Sequence, residues 1–184
     1  VKALDASANS VTVQANSTAN SLPVLALAGA MGLTVNAQAA HGVLTVNGLT
    51  LSYTPTSNYV GPDSVSYALQ GSNGSFASST ITIAVVAAAP VAKNMNLSVE
   101  TGRSASVDLA SVVTGPVFSG VSISINSQPA HGVVSLSGSR VTYTPAPGYV
   151  GSDSLSFTAT AIGGVSNVAQ LLITVVPRPD PSKD

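Results

Sequence analysis

Two histidines, each followed by glycine, are the side chains of this sequence with the widest chemical reach: His41-Gly42 and His131-Gly132. An imidazole can ligate a metal or act as a general base. A metal needs several convergent ligands, and the chain has no cysteine and no further histidine. Each histidine therefore reads as a turn or strand-start residue that packs its ring edge. Asp63-Ser64 and Asp153-Ser154 could be drawn with the nearer histidine as a Ser-His-Asp set. Neighbours on an extended segment point to opposite sides, so one imidazole could hardly serve both. No Gly-x-Ser-x-Gly elbow is present either. The expected role of each aspartate is to accept backbone N–H bonds in the loop ahead of the next strand. Tyr59 and Tyr149 could offer an exposed ring for sugar stacking. The stronger reading is a ring that closes the core, with its hydroxyl bonded to nearby backbone. Lys2 and Lys93 invite a Lys–Asn isopeptide bond, but lysines at strand starts are far more often exposed. No residue is assigned a catalytic, cofactor-binding or metal-binding role, and no cofactor is implied.

These candidates come in pairs because residues 38–86 and 128–176 are one stretch of sequence written twice, without a gap. About 19 of roughly 50 positions are identical, and a fixed period marks modules in series. Most identities are turn-formers and core-formers: Gly42 and Gly132, Gly48 and Gly138, Pro55 and Pro145, Gly61 and Gly151. Alternation of apolar and small polar residues runs through Leu49-Thr-Leu51-Ser-Tyr53, Val65-Ser-Tyr67-Ala-Leu69, Ile81-Thr-Ile83-Ala-Val85 and Val121-Ser-Ile123-Ser-Ile125. Period two places one face of a strand in a core and the other in water. Inward positions are exchanged for residues of similar volume: Val65 for Leu155, Tyr67 for Phe157, Leu44 for Val134, Val46 for Leu136. Leu49 matches Ser139, which suggests a sheet edge or strand end.

Asn47-Gly48 predicts a type I′ hairpin with Ser137-Gly138 as its weaker counterpart, and Asn73-Gly74 and Gly163-Gly164 predict a second hairpin in each copy. Strands are expected near 11–14, 22–27, 32–37, 43–47, 49–54, 64–70 and 76–86, then near 95–100, 105–109, 120–126, 133–137, 139–144, 154–161 and 166–177. The expected fold is all-β: two tandem antiparallel β-sandwiches of about seven strands each, the strand count of an immunoglobulin-like domain. The modules are placed at 1–87 and 91–177, with a short linker at 88–90 and a Pro-rich tail at 178–184. Ahead of the His-Gly turn the second copy carries about four extra residues in its early loops, where insertions are tolerated. The Ala87-Ala88-Ala89-Pro90 joint has no glycine and a fixed-φ proline, which predicts a rod with limited bending.

Composition narrows the function. Of 184 residues only 7% are charged, and the net charge is −1. No basic patch neutralises phosphates, which argues against nucleic acid, and no polybasic segment holds a membrane surface. The apolar run Leu22–Leu33 is interrupted by Pro23, Gly29 and Gly32 and is too short to insert in a bilayer. The opening VKALDAS and the tail PRPDPSKD read as the interior of a longer protein, so the missing targeting signal carries no weight.

His131-Gly132, Tyr143-Thr144-Pro145, Gly148-Tyr149-Val150-Gly151, Asp153-Ser154 and Phe157 form a signature. So do His41-Gly42, Tyr53-Thr54-Pro55, Tyr59-Val60-Gly61, Asp63-Ser64 and Tyr67, with Asn58 in place of glycine. The signature resembles the bacterial immunoglobulin-like and cadherin-like tandem repeats of secreted surface proteins, adhesins and autotransporter passengers. The resemblance implies a β-sandwich outside the cell, used as a non-catalytic stalk or spacer. Its partners would be neighbouring repeat modules and, in an adhesive alternative, a host glycan or protein. A third option is an accessory module of an extracellular enzyme. The cadherin-like branch suggests calcium, but the chain has a single Glu, Glu100, and no acidic cluster to supply six to eight oxygens. For an adhesive role the expected recognition loop is Gly115-Pro-Val-Phe118, which has no equivalent in the first copy.

Overall fold

The computed structural model describes residues 9–24 and 29–179. Lys2 and part of the strand expected at 22–27 lie outside them. Two compact units divide between Ala87 and Ala88. The first contains β1 (Asn9–Gln14), β2 (Asn20–Leu22), β3 (Ala30–Ala37), β4 (Gly42–Asn47), β5 (Thr50–Pro55), β6 (Gly61–Gly71) and β7 (Phe76–Val86). They form one sheet in the order β1-β7-β6-β3 and another in the order β2-β5-β4. The second unit begins with β8 (Val91–Ala92), β9 (Met95–Glu100), β10 (Ala105–Asp108), a 3-10 turn (Leu109–Val112) and β11 (Val113–Thr114). It continues with β12 (Ser122–Ser127), β13 (Gly132–Ser137), β14 (Arg140–Pro145), β15 (Gly151–Ala161), β16 (Gly164–Val165) and β17 (Ala169–Val176). Its sheets are β12-β15-β17-β9, with β16 against β15, and β10-β14-β13; β8 and β11 make a separate ribbon.

The alternating residues fill the two cores. Leu51, Tyr53, Val65, Tyr67, Ile81 and Ile83 are buried in the first, and Val141, Tyr143, Leu155, Phe157, Leu171 and Ile173 in the second. Two positions read as inward are not: Val46 is 46% exposed and Leu136 38%. They sit at the hairpin end of β4 and β13, edge strands whose tips run past the core. Val43 and Val133, exposed to 68% and 69%, are the same residue in both copies.

The first hairpin differs from the Asn-Gly turn expected. Asn47 pairs with Thr50, so the two loop residues are Gly48 and Leu49. Gly48 has φ 58° while Leu49 stays out of the positive-φ region, which is the type II′ pattern with glycine first. Ser137 pairs with Arg140 in the same way, and Gly138 has φ 62°. Leu49 and Ser139 are therefore interchangeable turn residues.

One pairing in each module departs from the antiparallel rule. β1 runs parallel to β7, from Asn9 opposite Ile81 to Gln14 opposite Val86. β9 runs parallel to β17, from Met95 opposite Leu171 to Glu100 opposite Val176. A hairpin forces consecutive strands antiparallel, but first and last strands are joined through the whole module and are free of that constraint. The 3-10 turn and β11 lie in the longer early loop of the second copy, and β11 pairs there with β8 at the module's entry; strand alternation could show neither.

The His-Gly glycines are needed for space. A Cβ on Gly42 would lie 2.2 Å from the Tyr53 ring and 2.7 Å from the Thr54 carbonyl oxygen, and one on Gly132 would lie 2.4 Å from the Tyr143 ring. Strand β4 can therefore pass over the buried tyrosine only as bare backbone. Gly132→Ala should lower stability by about 3 kcal/mol, the upper range for overpacking. Urea denaturation checks this, and a loss below about 0.5 kcal/mol, the ordinary surface value, would refute the close approach.

Candidate functional site

The singled-out residues of each module converge on one carboxylate. Asp63 has the same strand parity as Val65 and Tyr67, so β6 turns it inward, and it is 9% exposed. Its Oδ1 accepts the amide N–H of Ala40 at 2.9 Å and of Ser64 at 2.8 Å. Its Oδ2 accepts the His41 amide at 2.9 Å and the Tyr53 hydroxyl at 2.8 Å. The Tyr53 oxygen also lies 3.1 Å from the His41 carbonyl. The second module repeats the set: Asp153 accepts Ala130 N–H at 2.9 Å, His131 N–H at 2.8 Å, Ser154 N–H at 2.9 Å and Tyr143 O–H at 2.9 Å. The predicted backbone acceptance is thus present, but two of the amides come from the segment joining β3 to β4. The aspartate also lies within the strand, not in the loop ahead of it.

The cluster fastens the two sheets. Asp63 and Ser64 belong to the β6 sheet, Tyr53 to the β5 sheet, and Ala40 and His41 to the strap that crosses between them. Burial pushes the Asp63 carboxyl up, but the Tyr53 hydroxyl and the three amides outweigh it and hold its pKa below the ordinary value. The same balance lowers Asp153, with the Ala130 and His131 amides foremost among the donors. Burial, then the hydrogen bond to the carboxylate, pushes the Tyr53 and Tyr143 phenols well up, so both stay neutral donors.

The histidines contribute backbone to this cluster and ring to another. His41 stacks face to face on Tyr59, with centroids 4.0 Å apart and planes 6° apart; His131 stacks on Tyr149 at 4.2 Å and 6°. The packing is by ring face, not by ring edge as expected. Tyr59 and Tyr149 donate to the carbonyls of Pro62 and Ser152, both at 2.6 Å, as the backbone-bonded reading required. Their rings are half-buried against the core, whereas Tyr53 and Tyr143 are fully buried. Asn58 occupies the glycine position with φ 64°, a left-handed conformation that asparagine tolerates. Its amide N–H donates to Asn16 Oδ1 at 2.8 Å and Asn16 Nδ2 donates to Asn58 Oδ1 at 3.1 Å. Asn16 is also left-handed, at φ 62°, and glycines replace both in the second copy, Gly102 and Gly148 at φ 76° each.

No Ser-His-Asp relay is assembled: Ser64 and Ser154 meet the aspartates through their amides, as do the histidines. Among the described residues no three His, Cys, Asp or Glu side chains lie together. Lys93 is exposed, which does not suit an isopeptide bond. Phe118 is half-buried in a turn. A Cβ on Gly115 would lie 3.3 Å from the Pro90 Cα, so this loop packs on the entry of its own module. The Tyr–Asp pair was legible by parity, since an inward tyrosine hydroxyl needs a partner and Asp63 is the inward polar residue nearest in the pattern.

Because each folded aspartate titrates below its ordinary 3.8, its contribution is complete above that pH and is lost as pH falls through the folded value. Urea midpoints measured down to pH 2 should be level above about pH 5 and fall steeply below about pH 4. The D63N/D153N chain should lose most of that slope and be less stable at pH 7. An unchanged slope would mean that other carboxylates govern acid unfolding. Tyr149→Phe should cost about 1 kcal/mol for one hydrogen bond, and Tyr143→Phe about 2 because a charged acceptor loses a donor. The reverse order would contradict the assignment.

A family model of the bacterial Ig domain matches residues 3–84 and again 87–174. No curated protein matches the chain. Among solved structures, human mucin-like protocadherin EC1-2 is 13% identical over 95% of this chain and 98% of its own, with a TM-score of 0.41. Drosophila N-cadherin EC1-4 is 14% identical over 91% and 48%, with a TM-score of 0.39. An endo-fucoidan hydrolase of glycoside hydrolase family 107 is 19% identical over 93% of this chain, with a TM-score of 0.39, and the match spans only 28% of the hydrolase. No helix among the described residues is long and apolar enough to cross a membrane. The chain belongs to the bacterial Ig domain family and carries two copies of that domain in tandem.

Proposed function

We propose that the two domains are a non-catalytic, load-bearing spacer within a larger extracellular or cell-surface protein. The observation that carries this reading is the parallel pairing of entry and exit strands in both modules, over the six pairs Asn9–Gln14 with Ile81–Val86 and the six pairs Met95–Glu100 with Leu171–Val176. Tension along a chain enters a module through its first strand and leaves through its last. When those strands lie side by side and parallel, the pull slides them along each other and strains all their hydrogen bonds together. Antiparallel strands pulled from one shared end would instead open one bond at a time.

The candidate site supports the same reading. Its carboxylates are saturated with donors, Tyr53 and Tyr143 are buried, and Tyr59 and Tyr149 are bonded to backbone, so the chemistry-bearing residues are consumed in holding the module together. Neighbouring modules of the parent chain are the partners a spacer requires. The adhesive alternative loses support because Phe118 is half-buried instead of displayed.

Single-molecule pulling tests the proposal. With handles at the termini, each module should unfold at a markedly higher force than when the second module is pulled between its C-terminus and a handle in the Gly148 turn, which opens the antiparallel β15–β17 pair from the end where Gly151 faces Val175. Equal, low forces in both directions would sink the spacer reading.

A further inference from the structure

The segment that enters the second module is held by a side chain that imitates a strand. Ala92 N–H donates to Asn167 Oδ1 at 3.1 Å, and Asn167 Nδ2 donates back to the Ala92 carbonyl at 2.9 Å. A primary amide carries the same donor and acceptor as a peptide unit, so one asparagine completes both bonds that a neighbouring strand would make. On its other side Ala92 faces Val113, and Val91 faces Thr114, in the two-residue ribbon of β8 and β11. Lys93 N–H donates to the Val112 carbonyl at 3.0 Å. Asn94 makes a matching bond, accepting the Gln170 N–H on its Oδ1 at 2.9 Å. Gly115, at φ 111°, leaves room for Pro90 where a Cβ would lie 3.3 Å from the proline Cα.

We infer that residues 88–94 form a detachable strap, latched by Asn167, that lets go under tension before the module itself unfolds. The inference rests on the spacer reading for its purpose, though not for its geometry. Load entering this module meets the strap first. The strap is held by two ribbon pairs, one backbone bond, the two bonds of the Asn167 amide and the Asn94–Gln170 bond, against six register pairs between β9 and β17. Few backbone bonds, with only the small Ala92 side chain anchored in the core, mark the low end of local stability. Release would leave β9 paired and lengthen the chain by at most on the order of 20 Å, at about 3.4 Å per residue. The 3-10 turn and β11 lie in the longer early loop of the second copy, so the extra residues there give the strap its partner.

Hydrogen exchange on the intact chain tests the latch without assuming that it bears load. Asn167→Ala should reduce protection of the Ala92 amide roughly tenfold or more, the effect of losing about one hydrogen bond, while the Leu171 and Ile173 amides of β17 keep theirs. Asn167→Asp should fall between, because its carboxylate still accepts the Ala92 N–H but cannot donate to the Ala92 carbonyl. In terminal pulling, a short extension should precede unfolding of the second module, shift to lower force in Asn167→Asp and vanish in Asn167→Ala. The inference is overturned if Ala92 protection is unchanged in both variants. It is equally overturned if that protection falls only together with the β17 amides, since the strap would then be inseparable from the core. Loss of the short step with a high unfolding force retained leaves the spacer standing. A low unfolding force with the exchange result intact leaves the strap standing without the spacer.

Discussion

A single inward-turned carboxylate per module sets the terms for the rest of the fold. Two β-sheets packed face to face bury apolar side chains well, but the segment that crosses between them carries backbone amides that must be paired. Asp63 and Asp153 solve this by collecting two amides from the crossing segment, one from their own strand and one phenol from the opposite sheet. Four charge-assisted donors offset the cost of burial, which is why these carboxyls remain ionised below their ordinary pKa. The tyrosine ring that reaches each carboxylate then excludes a side chain from the residue above it, so the glycine after each histidine follows from the same constraint. Much of the repeated signature is the imprint of one hydrogen-bonded cluster.

The two copies differ in ways that respect this cluster. The first module uses paired asparagines, Asn16 and Asn58, where the second uses two left-handed glycines. Both solutions meet the same backbone demand. One adds a side-chain bridge, and the other accepts glycine's larger loss of conformational freedom. The second module also binds its incoming segment, through β11 in its longer early loop and through the Asn167 amide. Load-bearing and compliance would then reside in different parts of the module, the parallel strand pair and the strap.

Much of the fold was readable because its signals are local. Alternation located most inward residues, and Gly48 and Gly138 marked hairpins even though the turn type was mistaken. Exposure of Val46 and Leu136 escaped because alternation gives parity, not distance from the edge of the core. The parallel pairing of first and last strands leaves no local trace, since it depends on where the chain returns after some seventy residues. At the site, the aspartate's appetite for amides was legible, but its donors lie 22 and 23 residues upstream. The Asn167 latch was invisible for the same reason, with 75 residues between its partners.

The central claim is that the tyrosine and the aspartate act together to fasten the sheets. A double-mutant cycle on the second module measures this directly, with Tyr143→Phe, Asp153→Ala and both combined, each unfolded in urea and followed by the module's own amide signals. Coupling of about 1–2 kcal/mol is predicted, because either change alone strands the other partner in the interior. If the two losses simply add, to within about 0.5 kcal/mol, the pair is two independent core residues and the account fails.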